Sequence, residues 1–247
     1  MIRLSVNVNK VATLRNARGG ERPSVVWAAK TAIAAGCHGI TVHPRPDERH
    51  IRRADVFALA EALPTGVEYN IEGYPSPEWL ELVEDVRPAQ ATLVPDPPDV
   101  LTSNAGWRFA AVDRAWLAET VARLHHAGCR VSRFLDSDPA ELDGAKAAGA
   151  DRVELYTEAC ARAFPTPERD EIFAVYRATA ERAVEAGLGV NAGHDLDLDN
   201  LPHLAANLPG LLEVSIGHAL VSDALERGLE ATVKAYLAAL GAGDEGS

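Results

Sequence analysis

The stretch Ala34-Ala35-Gly36-Cys37-His38-Gly39-Ile40-Thr41-Val42-His43 closes a helical run with Ala-Gly and opens a strand three residues later. Glycine just past a helix end adopts the left-handed cap conformation at low cost, so the pair marks a helix-to-strand junction. The same phrase returns at Ala127-Gly128, Ala148-Gly149 and Ala186-Gly187. Strand-like runs follow these junctions at Gly39–His43, Arg130–Asp136, Arg152–Thr157 and Gly189–Asn191. Val67–Glu72, Ala91–Val94 and Leu212–Ile216 read as further strands, and an opening strand passes through Leu4 to Asn9. Helical patterns fill the intervals at Val25–Ala35, Ala54–Ala62, Pro77–Val86, Arg114–Ala127, Pro139–Ala148, Pro167–Ala186, Leu198–Asn207 and Ala219–Leu240. Strict alternation of strand and helix implies a parallel sheet, and eight such units in 247 residues match the size of a (β/α)8 barrel. A doubly wound open sheet is the competitor, but it calls for a glycine-rich turn after the first strand. The chain has Asn9-Lys10-Val11-Ala12 there.

The expected organisation is one barrel domain over residues 1–240 with a disordered tail at 241–247. A net charge of −12 argues against nucleic acid and anionic membrane as partners. No apolar run is long enough to cross a bilayer, and Met1-Ile2-Arg3-Leu4 leads directly into a strand pattern, so no leader is expected. Cys37, Cys129 and Cys160 show no paired spacing, which suits a reducing cytoplasm.

In a strand, residues two apart share a face. Ser5, Asn7 and Asn9 therefore oppose Leu4, Val6 and Val8; Thr41 and His43 oppose Ile40 and Val42; Asn70 and Glu72 oppose Tyr69 and Ile71. In a barrel the apolar set faces the helices and the polar set faces inward, with the site at the C-terminal strand ends. Those ends read Asn7 and Asn9, His43, Glu72, Asp136, Glu154, Asn191 with His194, and Ser215 with Gly217 and His218. One buried polar residue needs only a partner, but so many at one end are costly to bury without a use. Lys10, Arg15 and Arg18 after the first strand, and Arg45, Arg49 and His50 after the second, form basic patches suited to an anionic ligand. Glu72, His43 and His194 are acid–base candidates. The glycines beside His194 and His218 lie where barrels commonly bind phosphate. Neither HxH on a strand nor HExxH on a helix occurs, so a metal is not expected. Lys10 reads either as an anion contact or as a Schiff-base lysine. Residues Asp96–Gly106 read as a lid.

These residues carry a resemblance over essentially the whole chain. Its landmarks are Val6-Asn7, the run Ala12–Gly19, Gly39–His43 with Arg45, Asp47, Arg49, His50 and Ile51, Asn70-Ile71-Glu72, and Leu93-Val94-Pro95. Val153-Glu154-Leu155, Val190–His194 and Ile216-Gly217-His218 complete the set, which resembles the pyridoxine 5′-phosphate synthase family. The resemblance implies a barrel with extra helices that assembles as a homo-oligomer, built on dimers and up to an octamer. It implies neither metal nor organic cofactor, and phosphorylated small molecules as substrates: 3-amino-2-oxopropyl phosphate and 1-deoxy-D-xylulose 5-phosphate. By the same resemblance His43 and Glu72 act as bases, His194 donates a proton and Glu154 stabilises charge. Asn7, Arg18, Asp195, Gly217 and His218 would hold the amino-ketone phosphate, and Asn9, Lys10, Arg45, His50 and Thr102 the sugar phosphate. The chain departs from the family pattern at Asn9-Lys10, where Asp-His is usual, and at Tyr156, Glu158 and Asp195, where His, Gly and Gly are common. The acidic run Pro95-Asp96-Pro97-Pro98-Asp99 replaces a basic lid. These departures keep three alternatives open: a relative using a different amino-ketone, a non-catalytic phosphometabolite-binding barrel, and a lysine-dependent aldolase.

Overall fold

The computed structural model describes residues 1–95, 106–107 and 113–241; Thr102, nearly all of the expected lid and all but the first residue of the expected tail lie outside them. Eight parallel strands close on themselves in sequence order. They are β1 (Arg3–Asn7), β2 (Gly39–Val42), β3 (Glu68–Gly73), β4 (Gln90–Leu93), β5 (Arg130–Leu135), β6 (Arg152–Tyr156), β7 (Gly189–His194) and β8 (Leu211–Ile216). The last pairs with the first, with Val6 beside Ile216. The outer helices are α2 (Val25–Ala34), α3 (Arg53–Ala62), α4 (Pro77–Val86), α5 (Arg114–His126), α6 (Leu142–Ala147), α8 (Arg169–Glu185), α9 (Leu201–Asn207) and the pair α10 (His218–Arg227) and α11 (Leu229–Ala239). Two more, α1 (Asn9–Asn16) and α7 (Glu158–Ala163), sit directly after strands at the C-terminal mouth. The four junction glycines, 36, 128, 149 and 187, all take positive φ, from 74° to 103°, as the Ala-Gly phrase requires.

Parity decides which side of the barrel is wet. Leu4, Val6, Ile40, Val42, Ile71, Leu93, Val153, Leu155, Val214 and Ile216 are fully buried between the barrel and its helices. The opposite parity fills the lumen with polar groups that satisfy one another. Ser5 and Thr41 hydroxyls meet at 2.7 Å, and Thr92 donates to Asn70 Oδ1 at 3.0 Å. At the floor, Glu68 accepts from Arg130 and Arg3, and Arg152 reaches both Asn191 and Glu213. Buried charges persist only when paired: hydrogen bonds from Glu213 and Arg130 keep Glu68 low against its burial, whereas burial, then Glu68, raises Glu213 well above the carboxylate range despite Arg152.

Five local readings change. The first strand stops at Asn7, whose Oδ1 accepts the Asn9 N–H at 3.0 Å, so the basic segment is the helix α1 and not a loop. The expected single C-terminal helix breaks at Gly228, with φ 81°. The short helix α7 follows β6 unannounced, and β7 runs on to His194. Asp136 leaves the strand and accepts the Gly106 N–H at 2.8 Å.

Helix α1 is clamped to the rest of the mouth by Arg15, whose side chain is 2% exposed. Its guanidinium grips both oxygens of Asp55 at 2.6 and 2.8 Å and donates to the His50 carbonyl at 3.2 Å. Asp55 Oδ2 also accepts the Arg52 N–H, capping α3. Removing one partner of a buried pair strands the other, a loss of about 3–5 kcal/mol. Arg15→Ala is therefore expected to lower stability by that amount in denaturant titration.

Candidate active site

The C-terminal ends of the strands surround a cavity of about 500 Å³. Into it the structure brings Asn7, Asn9 and Lys10 from the β1–α1 corner, His43, Arg45 and His50 from the β2–α3 segment, and Glu72 from β3. Glu154, His194, Asp195, Gly217 and His218 complete the wall from β6, β7 and the β8–α10 corner. Arg18 stays out, exposed on the turn after α1, and so does Asn191, whose side chain meets Arg152 at the floor. Three lining residues escaped the sequence reading as site groups: Thr13 on α1, Val94 after β4 and Phe134 on β5. Phe134 was legible by parity, since it lies beside Glu154 in register; Asp136, two residues on, belongs to the loop.

Local bonds explain how the polar groups are held. Asn9 Oδ1 accepts the His43 N–H at 3.0 Å, a role an aspartate would also fill, so the amide keeps the geometry while removing a negative charge. Lys10 then stands exposed at the start of α1. His50 Nδ1 accepts the Ile51 N–H at 2.9 Å, which places the proton of the neutral ring on Nε2 as a donor. Asn7 Nδ2 approaches Glu72 Oε2 at 3.5 Å, and His43 Nδ1 lies 3.9 Å from that same oxygen. Gly193 lets Glu154 lie against β7: a Cβ there would fall 2.3 Å from Glu154 Oε1.

The electrostatics separate the titratable groups. Burial, then the charge of Glu213, pushes the Glu72 carboxyl up to about 8. Burial, then the charge of Glu72, raises Glu154 well above the carboxylate range. Glu154 Oε2 has no hydrogen-bond partner among the described residues, as befits a carboxyl that keeps its proton. Burial, then Arg45, His50 and Arg49, lowers His43 to about 3; burial, then Arg45, Lys10 and Arg49, lowers His50 to about 4. At neutral pH His43 and His50 are therefore neutral imidazoles, and Glu72 and Glu154 hold their protons, beside fixed cations. One wall, with Lys10, Arg45, Arg49 and His50, suits a phosphate; the other presents the N-terminus of α10, capped by Gly217, to a second anion.

His194 ends β7 at φ 96°, a conformation costing a non-glycine residue about 1–3 kcal/mol and found where function imposes it. Its Nδ1 lies 2.7 Å from Asp195 Oδ2. Tyr156 packs edge-on against the ring at 4.9 Å between centroids.

Residues 4–242 match the family described as pyridoxal phosphate biosynthesis protein PdxJ. Pyridoxine 5′-phosphate synthase from Bacteroides thetaiotaomicron is 54% identical over 236 residues, covering 96% of this chain and 98% of its own. The enzyme of the same name from Xanthomonas oryzae pv. oryzae is 54% identical, covering 96% and 95%. Solved structures share the fold at low identity. Phosphoribosyl anthranilate isomerase from Thermus thermophilus gives a TM-score of 0.62 at 19% identity, covering 97% of this chain and 98% of its own. Tryptophan synthase from M. tuberculosis gives 0.65 at 15%, covering 97% and 92%.

Because folding raises the Glu72 pKa from the ordinary 4.5 to about 8, the folded state binds this proton more tightly than the unfolded chain. That contribution to stability is complete below about 4.5 and is lost as pH rises through about 8. The melting temperature is expected to fall between about pH 4.5 and 8 and to level off above that, and Glu72→Gln to flatten that fall by several degrees. Scanning calorimetry across this range checks it.

Proposed function

The chain belongs to the PdxJ family of pyridoxal phosphate biosynthesis proteins, and on that basis we propose how its mouth makes pyridoxine 5′-phosphate from 3-amino-2-oxopropyl phosphate and 1-deoxy-D-xylulose 5-phosphate. The observation that carries the assignment of roles is the coexistence, in one cavity, of two anion-holding walls and several proton-carrying groups between them. The reaction joins amine to ketone as an imine, expels phosphate and water and closes a ring, so protons must be moved repeatedly at carbon and oxygen.

Lys10, Arg45 and His50 hold the phosphate of the sugar. Lys10 is exposed, which suits a phosphate contact better than a desolvated Schiff-base nucleophile. Asn9 supports this wall through His43, and Thr102 is assigned to it from the family pattern. Asn7, the backbone N–H of Asp195, Gly217 and His218 hold the amino-ketone phosphate at the N-terminus of α10. Arg18 is exposed on the turn after α1, outside the cavity lining, and the proposed site in one chain does not use it. Neutral His43 accepts a proton without first having to lose one. Glu72, with a pKa near 8, gives and takes protons near neutrality. Glu154, held uncharged, donates a hydrogen bond to negative charge that develops on the substrate. His194 supplies protons to departing groups.

We place the enzyme in the cytoplasm as a homo-oligomer. The free thiols of Cys37, Cys129 and Cys160 support a reducing compartment. Leu14, Trp27 and Leu225 are exposed on α1, α2 and α10, and α1 packs on both of the other two, so a second copy of the chain would cover apolar surface there.

Incubating the protein with both substrates is expected to yield fluorescent pyridoxine 5′-phosphate and free phosphate in equal amounts. Glu72→Gln is expected to lower kcat by at least about 100-fold while sugar-phosphate affinity in calorimetry stays within a few-fold. Full turnover in Glu72→Gln would remove Glu72 from its role. Absence of product from wild type, with tight binding of another amine, would favour a different amino-ketone.

A further inference from the structure

Three positions at which the sequence departs from the family pattern, Tyr156, Glu158 and Asp195, converge on a single imidazole. Asp195 Oδ2 meets His194 Nδ1 at 2.7 Å. The Tyr156 ring packs edge-on against His194 at 4.9 Å, and the Tyr156 hydroxyl donates to Glu158 Oε2 at 3.0 Å. An ionised carboxylate only accepts hydrogen bonds, so the Asp195 contact places a proton on Nδ1. The other ring nitrogen, Nε2, then remains to serve the cavity that His194 lines.

The surroundings explain why such a carboxylate is useful. The same cavity is lined by Lys10, Arg45, Arg49 and His218, with His43, His50, Glu72 and Glu154. Burial, then Arg45 and its cationic neighbours Lys10 and Arg49, pushes His43 and His50 away from their charged forms, and Glu72 and Glu154 hold protons at neutral pH. A histidine required to donate a proton here needs a negative partner of its own. Asp195 is the carboxylate in hydrogen-bond contact with it; Glu158, one step away, is taken by Tyr156 and lies 3.7 Å from Arg162.

We propose that the Asp195 carboxylate is a positioning residue for the reaction. It holds the Nδ1–H of His194, so that the imidazolium delivers its Nε2 proton to the departing oxygen. After delivery the ring is neutral, keeps Nδ1–H on Asp195, and regains through solvent, at Nε2, the proton that the base took from substrate carbon. Tyr156, braced by Glu158, fixes the ring plane. This rests on the reading of His194 as proton donor, and it gives Asp195 two separable roles: backbone N–H toward phosphate, and side chain toward His194.

The test compares Asp195→Gly and Asp195→Asn with His194→Asn, using both substrates across pH and following the His194 ring by nitrogen-15 NMR. Glycine retains the backbone N–H, and asparagine guards against a folding defect in the glycine variant. Both Asp195 variants are expected to lose roughly 10- to 100-fold in kcat with little change in KM for either phosphate. The signal of a hydrogen-bonded Nδ1–H disappears in Asp195→Gly. Unchanged kcat and an unchanged His194 ring spectrum in both variants, with His194→Asn inactive, would overturn the role of Asp195 alone. Full turnover in His194→Asn would overturn the donor reading beneath it.

Discussion

A barrel whose lumen is polar must satisfy every group it encloses, and that constraint organises this protein from floor to mouth. The apolar parity of each strand is spent on the helices, so the inner parity has no hydrophobic packing to offer. At the floor the solution is pairing: Glu68 with Arg130 and Arg3, Glu213 with Arg152. In the middle it is neutral hydrogen bonding among Ser5, Thr41, Asn70 and Thr92. At the mouth Glu72 has Asn7 Nδ2 at 3.5 Å and the ring of His43 at 3.9 Å, and burial beside other carboxyls makes Glu72 and Glu154 hold protons. The chemistry follows from the same cost of buried charge that pairing meets at the floor.

The mouth divides two tasks that conflict. Binding two phosphates calls for concentrated positive charge, while moving protons calls for groups that can change charge near neutrality. Cations nearby suppress imidazolium, which suits His43 as a base. They also work against a histidine that must act as an acid. The strained backbone at His194 and the carboxylate beside it fit a local exception to the general field of the site. Rigid supports keep these opposed groups in place: Arg15 ties α1 to α3 and to the segment bearing His50, and Gly193 lets Glu154 lie against β7.

Much of this was legible before any coordinates. The Ala-Gly junctions located the helix ends because positive φ is a strong local demand, and strand parity sorted Glu72, Glu154 and His43 inward because side chains alternate without exception along a regular strand. Parity also held Phe134, which a preference for charged residues passed over in favour of Asp136. The helix α1 was hidden because its start depends on an Asn7 side chain turning the backbone, and α7 because six residues carry little periodicity. The pairing of Asp195 with His194 could not be read from adjacency alone, since it depends on the unusual φ of His194. Nor does sequence reveal that Arg133, on the outward parity of β5, is buried over the Trp107 ring at 5.3 Å.

Glu72 and Glu154 are protonated in the resting enzyme at neutral pH because burial, and then the charge of neighbouring carboxylates, disfavours their ionised forms. Infrared difference spectroscopy, comparing wild type with Glu72→Gln and Glu154→Gln at about pH 7, reads this directly. The account predicts carboxylic-acid C=O bands in the wild type, one lost in each variant, with the Glu72 band fading as pH is raised past about 8. Carboxylate bands alone at neutral pH, unchanged by either substitution, would contradict it.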